Sequence, residues 1–332
     1  MKDITVVSID TAKQTFYLVA FSRSGKVEGR RKLGRSALKR WMAKQAPLTV
    51  YMEACGGSHE WARVFKEQGH IVKLIAPQFV KPFRQGQKND WNDALAIGIA
   101  GQQPTMRFVA AKSEDQQALQ AVHRVRSRVQ RDRVATANQL RGLLYEFGIV
   151  LPRSIPILRK RVPEVLETDK LPGMMADLVR DLLRELRALD DRVKYYTEQI
   201  ERMVKVDPVA CRLMKLSGIG PITASALVAD IADARVFRNG RQLSAYLGLV
   251  PRQFSTGGRS SLGSITKRGD RYLRQLLVHG ARSVIRHLGD KQDRTSCWLR
   301  ELIARRGINK ATVALANKQA RWAWAVMVAA EA

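Results

Sequence analysis

The sequence predicts an α/β domain over residues 1–110 joined to an all-α remainder, and three observations carry that prediction. Short β-branched and apolar runs alternate with helical spacings up to Gly101, whereas from Ser113 on the apolar residues recur almost everywhere at three and four. Breaks fall where Gly and Pro cluster. The 332 residues are 45 % hydrophobic, enough for packed cores, and carry 58 Lys and Arg against 30 Asp and Glu, a net charge of +28. Such a cation repels itself unless a polyanion neutralises it.

Element by element, Ile4–Ile9 is a β-branched strand ending in Asp10. Phe16–Phe21 and Lys26–Leu33 are two more strands, joined by the Ser22–Gly25 turn, so the three form a meander. Ser36–Gln45 reads as a helix, Leu48–Met52 as a strand and Ser58–Gln68 as a helix stopped by Gly69. Ile71–Ile75 is a further strand, and Asp90–Gly101 closes the domain as a helix. The order βββαβαβα is that of an RNase H-like fold.

Residues 111–206 read as a helical region. Val179, Leu182, Leu186, Leu189, Val193, Tyr196, Ile200 and Met203 alternate by three and four with charged residues between them, the seam of a coiled coil. The partner is either the helical stretch Glu114–Phe147 or the same helix in a second subunit; a single amphipathic helix packed inside a monomer is the plainer alternative. Leu151–Gly173, with Pro152, Pro156, Pro163 and Pro172, is expected to be a hairpin connection.

Residues 207–332 form a third, basic helical region. Pro251–Ala332 holds 16 Lys and Arg against 5 Asp and Glu, whereas Ala111–Val206 holds 19 against 14. The polyanion is therefore expected there most strongly, with a second concentration at Arg30, Arg31, Lys32, Arg35, Lys39 and Arg40. The turn Ser217-Gly218-Ile219-Gly220-Pro221 resembles a helix-hairpin-helix, whose amides approach a phosphate through Gly218 and Gly220; a tight helix–helix turn is the plainer reading. Pro251–Ser261 reads as a polar, flexible, glycine-containing loop in which a hydroxyl lies among Arg252, Arg259, Lys267, Arg268 and Arg271, where it could attack phosphorus; a linker or phosphate contact is the plainer reading of such a serine.

Several classes are excluded on composition. No apolar run is long enough to span a membrane, the first ten residues lack the order of a signal peptide, and Cys55, Cys211 and Cys297 are too few and too scattered for a disulfide framework or a zinc site. A reduced protein in the cytoplasm is expected. His59, His123 and His279 have no metal spacing and read as surface or packing residues; for Trp298, Trp322 and Trp324, among helical residues near the end, core packing is the plainer reading and base stacking the alternative.

Asp10, Glu53, Asp90 and Asp93 are four of only eight acidic residues before residue 111. In an RNase H-like sheet the first and fourth strands are neighbours, so Asp10 and Glu53 meet the face of the last helix that carries Asp90 and Asp93. Carboxylates drawn together repel until a cation neutralises them, and hard oxygen ligands suit Mg²⁺.

The segments Ser8–Lys13, Met52-Glu53-Ala54, Lys88–Ala94, Ser217–Gly220 and Tyr246–Arg252, leading into the Ser255 stretch and Lys267-Arg268-Gly269, together resemble the DEDD transposases of the insertion-sequence family numbered one hundred and ten, the bridge-RNA-guided recombinases. The resemblance covers almost the whole chain. It implies a RuvC-like domain, a coiled coil and a carboxyl-terminal transposase domain, with Asp10, Glu53, Asp90 and Asp93 binding Mg²⁺ and a serine as nucleophile. Counting back from Lys267-Arg268-Gly269 places Ser255 at the nucleophile position; counting forward from Pro251 places Thr256 there. Ser255 is preferred as the less hindered hydroxyl. The resemblance also implies donor and target DNA, a noncoding bridge RNA, and a homo-oligomer, dimer or tetramer, in which acidic and serine sites assemble between subunits. The alternatives are a junction-resolving nuclease that uses water and the carboxylates alone, and a nonenzymatic nucleic-acid-binding protein. An actin-like ATPase ranks last, because Thr11-Ala12-Lys13 supplies no glycine-rich phosphate loop.

Overall fold

The computed structural model describes residues 4–168 and 170–330; Asp169, inside the predicted Leu151–Gly173 connection, lies outside them. The chain folds into two compact units, each described by itself. One is the stretch up to Gln116 together with Asp230–Arg238, and the other is Gln117–Ala229 together with the chain from Asn239 on.

The first unit is built on a six-stranded mixed sheet. In chain order its elements are β1 (Ile4–Thr11), β2 (Thr15–Ser22), β3 (Val27–Gly34), α1 (Arg35–Ala43), β4 (Thr49–Glu53), α2 (Ser58–Glu67), β5 (Ile71–Ile75), α3 (Pro77–Val80), α4 (Asp90–Gly101) and β6 (Phe108–Val109). The strands lie in the order β3-β2-β1-β4-β5-β6. The first three form an antiparallel meander, β4 and β5 run parallel to β1, and β6 is antiparallel to β5. This architecture is compatible with a DEDD nuclease-like domain. Two expectations are corrected here: the domain does not close at α4, since β6 follows it, and Pro77–Phe83 holds α3 and a 3-10 turn. Neither piece is long enough to display a period.

Strand alternation sorts the sheet into two cores. Val7, Ile9, Phe16, Leu18, Val50, Met52 and Leu74 face α1 and α2, where Leu38, Met42, Trp61 and Phe65 cover them. The residues in between face α4: Tyr51 and Ile75 pack with Ala96, Ile97 and Ala100, and Val19 and Phe21 with Ala94. Helix α4 lies close because its buried face is Ala and Gly. A methyl group on Gly98 would overlap the Phe21 ring and stand 2.8 Å from Ser8 Oγ, and one on Gly101 would overlap Tyr51. Ser8 Oγ donates to Ala94 O at 2.7 Å and ties β1 to this helix. Asp230 is held in the same unit by a part-buried ion pair with Lys112 at 2.7 Å.

In the second unit α5 (Glu114–Tyr145), α6 (Ile155–Leu166) and α7 (Gly173–Val206) pack together. Arg126 Nε donates to Thr197 Oγ1 at 2.8 Å, and Arg133 pairs with Asp190, which Arg159 also contacts at 2.8 Å. One heptad forward along α5 thus answers one heptad back along α7, so the two run antiparallel. Val179, Leu182 and Leu186 of the predicted seam are covered by α5 and α6 residues including Leu140, Leu144, Leu158 and Val162. The predicted hairpin connection proves to carry a helix of its own. Pro156 sits in the first turn of α6, where its missing N–H costs nothing, and Pro163 is tolerated inside because burial of Leu158 and Val162 offsets the lost bond.

Helices α8 (Pro208–Leu213), α9 (Pro221–Asp230), α10 (Gly240–Tyr246), α11 (Arg271–Arg286), α12 (Arg294–Arg306) and α13 (Ile308–Ala330) complete the chain, with strands β7 (Pro251–Thr256) and β8 (Arg259–Ile265) between α10 and α11. The remainder is therefore not wholly helical. The predicted flexible loop around Ser255 is an antiparallel hairpin, turned by Gly257 and Gly258 at φ +53° and +76°. Two consecutive positive φ angles are what a two-residue hairpin turn with the sheet's twist requires.

Buried His123 bridges Tyr272 Oη at 3.1 Å and Ser225 Oγ at 3.0 Å, and burial, with Arg126 nearby, pulls its imidazole down to about 4. It is a packing residue, as its sequence context suggests. The unfolded chain takes up a proton near pH 6.5 that the folded one refuses, so this site's stabilisation is full above 6.5 and falls as pH drops towards 4. Between pH 7 and 4.5 wild type should lose about 2–3 kcal/mol at this position relative to His123→Gln, read by urea unfolding of both proteins at both pH values.

Candidate functional site: an acidic centre and a basic hairpin

Strand register decides where the acidic residues of the first unit point. Asp10 is aligned with Tyr17 on β2, Tyr17 with Lys32 on β3, and Ile9 with Met52 on β4, so Lys32, Tyr17, Asp10 and Glu53 form one row across the sheet. The row shares its face with Ser8 and Tyr51, the residues that pack on α4. Asp90 and Asp93 lie in the first turn of that helix, which Asn89 caps by accepting from Asn92 N at 2.8 Å. Carboxylates there are favoured by the helix dipole.

The electrostatics follow from that placement. Burial, then the charges of Asp93, Asp90 and Glu53, push the Asp10 carboxyl up to about 6. Glu53 is raised by burial and by Asp93, with Arg84 and Lys88 pulling the other way. Arg84 reaches Asp93 at 3.3 Å. The four predicted acidic residues therefore sense one another inside a single unit. Among the described residues, however, no three His, Cys, Asp or Glu side chains stand close enough to hold a metal ion.

Sequence reasoning missed several neighbours of this centre. Cys55 Sγ lies 2.9 Å from Thr11 Oγ1, and its thiol is raised chiefly by burial, with Glu53 and Asp10 adding to the effect. Trp91 meets Tyr17 edge-on at 4.9 Å, Lys32 Nζ lies 5.5 Å over Tyr17, and Arg30 lies 6.0 Å over Trp91. Strand register and the packing of α4 on the sheet bring these together, and no periodicity of one segment encodes either. Arg84 and Lys88 were legible as cations, but not as the ion-pair partner of Asp93 and a charge acting on Glu53.

In the second unit the predicted basic residues gather on and below the β7–β8 hairpin. Ser255 is exposed on β7, where its Oγ accepts from Gln253 Nε2 at 2.8 Å. Thr256 is its neighbour on the opposite face and pairs with Arg259 across the turn. Alternation places Arg252 on the Thr256 side as well. Exposed Lys267 and Arg268 sit at the hairpin's base, and Arg271 opens α11. The base is pinned: Arg274 donates to Leu247 O at 3.0 Å and to Arg268 O at 2.9 Å, and a side chain on Gly269 or Gly248 would collide with the facing backbone.

The predicted helix-hairpin-helix glycines part company. Gly218, at φ +83°, is packed against α11 and α13: a Cβ there would stand 2.9 Å from Gly280 O and Val284 Cγ2 and overlap the Gln319 amide. Gln319 Nε2 donates to Ser217 O at 2.8 Å. Gly220 is exposed with open space around it.

Comparison with known proteins matches two stretches of the chain. The family described as Transposase IS116/IS110/IS902 matches residues 210–296, and a transposase family of the DEDD IS110 type matches residues 7–149. A probable family 20 transposase of Pseudomonas aeruginosa is 47 % identical over 328 residues, 98 % of this chain and 97 % of that one. The transposase for insertion sequence element IS1111A of Coxiella burnetii is 40 % identical, covering 100 % and 92 %, and that for IS1328 of Yersinia enterocolitica is 40 % identical, covering 98 % and 97 %. Likeness of this degree over the full length shows that the chain belongs to the IS116/IS110/IS902 family of insertion-sequence transposases, enzymes that recombine DNA.

Proposed function

We propose that this transposase cleaves and rejoins DNA with two sets of residues, Mg²⁺-binding carboxylates at Asp10, Glu53, Asp90 and Asp93 and a nucleophilic hydroxyl at Ser255. The observation that carries the reading is the Asp10 carboxyl, held near 6 by burial and by the three other acids. Hard oxygen donors that repel one another in a half-buried place suit a divalent cation, and Asp90 and Asp93 would complete the ligand set on binding. Bound there, the ion would stabilise negative charge on a phosphodiester oxygen.

The chain's own residues would do the remainder. Ser255 Oγ attacks phosphorus, the seryl–phosphate bond forms as the bond to a deoxyribose oxygen breaks, and the serine proton passes through solvent to the departing hydroxyl. The reverse step, with another strand's hydroxyl as nucleophile, rejoins the DNA and regenerates the serine. Gln253 binds the serine oxygen and leaves its proton free to depart. Arg252, Arg259, Lys267, Arg268 and Arg271 would neutralise phosphates around it. The reading takes the first domain, 1–110, as RuvC-like with an RNase H fold, 111–206 as a coiled coil, and 207–332 as the transposase domain. It also takes an element-encoded bridge RNA as the source of sequence recognition in a homo-oligomer; the +28 charge supports a protein that holds RNA and DNA together.

Thr256 is a second reading, favoured by the arginines that share its strand face. Denaturing gels of protein incubated with donor and target plasmids and its copurified RNA separate the two. Ser255→Ala should leave no covalent protein–DNA species and no recombinants, with Thr256→Ala keeping both. Recombination by Ser255→Ala at the wild-type rate would remove Ser255 from the mechanism, and loss in Thr256→Ala alone would transfer the role. RNA that copurifies but maps nowhere near the gene would defeat the guide reading.

A further inference from the structure

The three tryptophans for which core packing is the plainer sequence reading are only half-buried: Trp298 on α12 and Trp322 and Trp324 on α13. Trp322 and Trp324 line a cavity of about 370 Å³ beside the start of α10, together with Arg241, Lys318 and Arg321. Lys318 Nζ stands 4.4 Å from the centre of the Trp298 ring and 5.2 Å from that of Trp322, held between two indole faces. Helix α10 reaches α13 through Gly240, where a Cβ would stand 2.9 Å from the Cα and carbonyl oxygen of Arg321. No ion pair among the described residues involves Arg241, Lys318 or Arg321.

Three cations without acidic partners beside two indoles define what fits. Inorganic phosphate would satisfy the charge and leave the rings exposed, and an uncharged aromatic molecule would do the reverse. A nucleotide has both a flat π face and a phosphate on either side. The volume is at the lower end of small-molecule sites, about 300–1,000 Å³, and admits one nucleotide but no duplex.

We propose that this cavity takes a single unstacked nucleotide of a DNA or RNA strand, its base against Trp322 and Trp324 and its flanking phosphates on Arg241, Lys318 and Arg321. Stacking on an aromatic side chain tolerates any base, so the site grips a displaced or looped strand without reading its sequence. It is independent of the carboxylate and serine chemistry.

The test uses the full-length protein and two single-stranded oligonucleotides of one sequence, DNA and RNA, each with one 2-aminopurine. Wild type should quench the 2-aminopurine on binding in at least one arm, and the arm that responds identifies the strand. Trp322→Ala should lose the quenching and bind about tenfold more weakly, Trp322→Phe should keep most of both, and Arg321→Gln should lower the salt dependence by about one phosphate contact. Asp10→Asn should quench as wild type does, which separates failure of this site from failure of the metal reading. The proposal is overturned if Trp322→Ala quenches and binds like wild type. It is overturned equally if Trp322→Phe loses binding together with its melting temperature, since Trp322 is then structural.

Discussion

Asp10→Asn should abolish DNA strand cleavage and at the same time make the metal-free protein more stable. The carboxyl is pushed from 3.8 to about 6 by burial and by three neighbouring acids, so the folded protein prefers it protonated. The stability this contributes is full below pH 3.8 and is lost as pH rises through 6. A two-unit shift corresponds to about 3 kcal/mol unscreened, and about 1–2 kcal/mol for a half-exposed group. In EDTA at pH 7.5 Asp10→Asn should therefore melt a few degrees above wild type, and at pH 4 the two should coincide. Mg²⁺ should raise the wild-type transition and leave that of Asp10→Asn almost unmoved, because an ion that binds only the folded state stabilises it. Cleavage should fall at least about a hundredfold, the upper loss seen on removing even an outer partner of a metal site. Full activity of Asp10→Asn in Mg²⁺, or equal melting of the two proteins in EDTA at both pH values, would count against the acidic centre.

Gly98→Ala should damage both stability and catalysis although it touches none of the four carboxylates. The new methyl would overlap Phe21 and crowd Ser8 Oγ, the hydroxyl that fastens β1 to α4 through Ala94. Overpacking of this kind costs about 1–3 kcal/mol, relieved by moving α4 off the sheet. Asp90 and Asp93 ride on that helix while Asp10 and Glu53 stay on the strands, so Mg²⁺ affinity should fall too. Gly142→Ala, at a helical position where a Cβ meets nothing within 4 Å, is the control and should be neutral or slightly stabilising. Calorimetry and Mg²⁺ titration of the two variants check this. An unchanged Mg²⁺ midpoint in Gly98→Ala would mean that the close approach of α4 does not serve the site.

Much of the first unit was readable because its elements carry their own period. Ile71–Ile75 and Asp90–Gly101 occur with the predicted bounds, and the meander and the adjacency of β1 and β4 follow from element order. Phe108–Val109 was not readable, since a two-residue edge strand exists only through its bonds to β5. The Ser255 hairpin was readable in principle: Gly257-Gly258 is a two-residue turn signal, hidden because its strands are polar and exposed on both faces and show no alternation. Helix α6 went unread because a proline count treats every proline as a breaker, although its cost depends on position in the helix and on what is buried around it.

The sequence by itself determined most elements of the first unit, the four acidic residues as candidates, the basic carboxyl-terminal region and, through its motifs, the family. Those are properties of local spacing and composition, which survive without a partner. Only the tertiary structure decided that Asp10 shares a row with Tyr17, Lys32 and Glu53, that Gly218 serves packing, that Ser255 and Thr256 face opposite ways, and that Trp322 borders a cationic cavity. Each depends on register or on the approach of helices distant in sequence. A shift of one residue in strand pairing would send the strand residues of the Asp10 row to the other face without altering any local pattern.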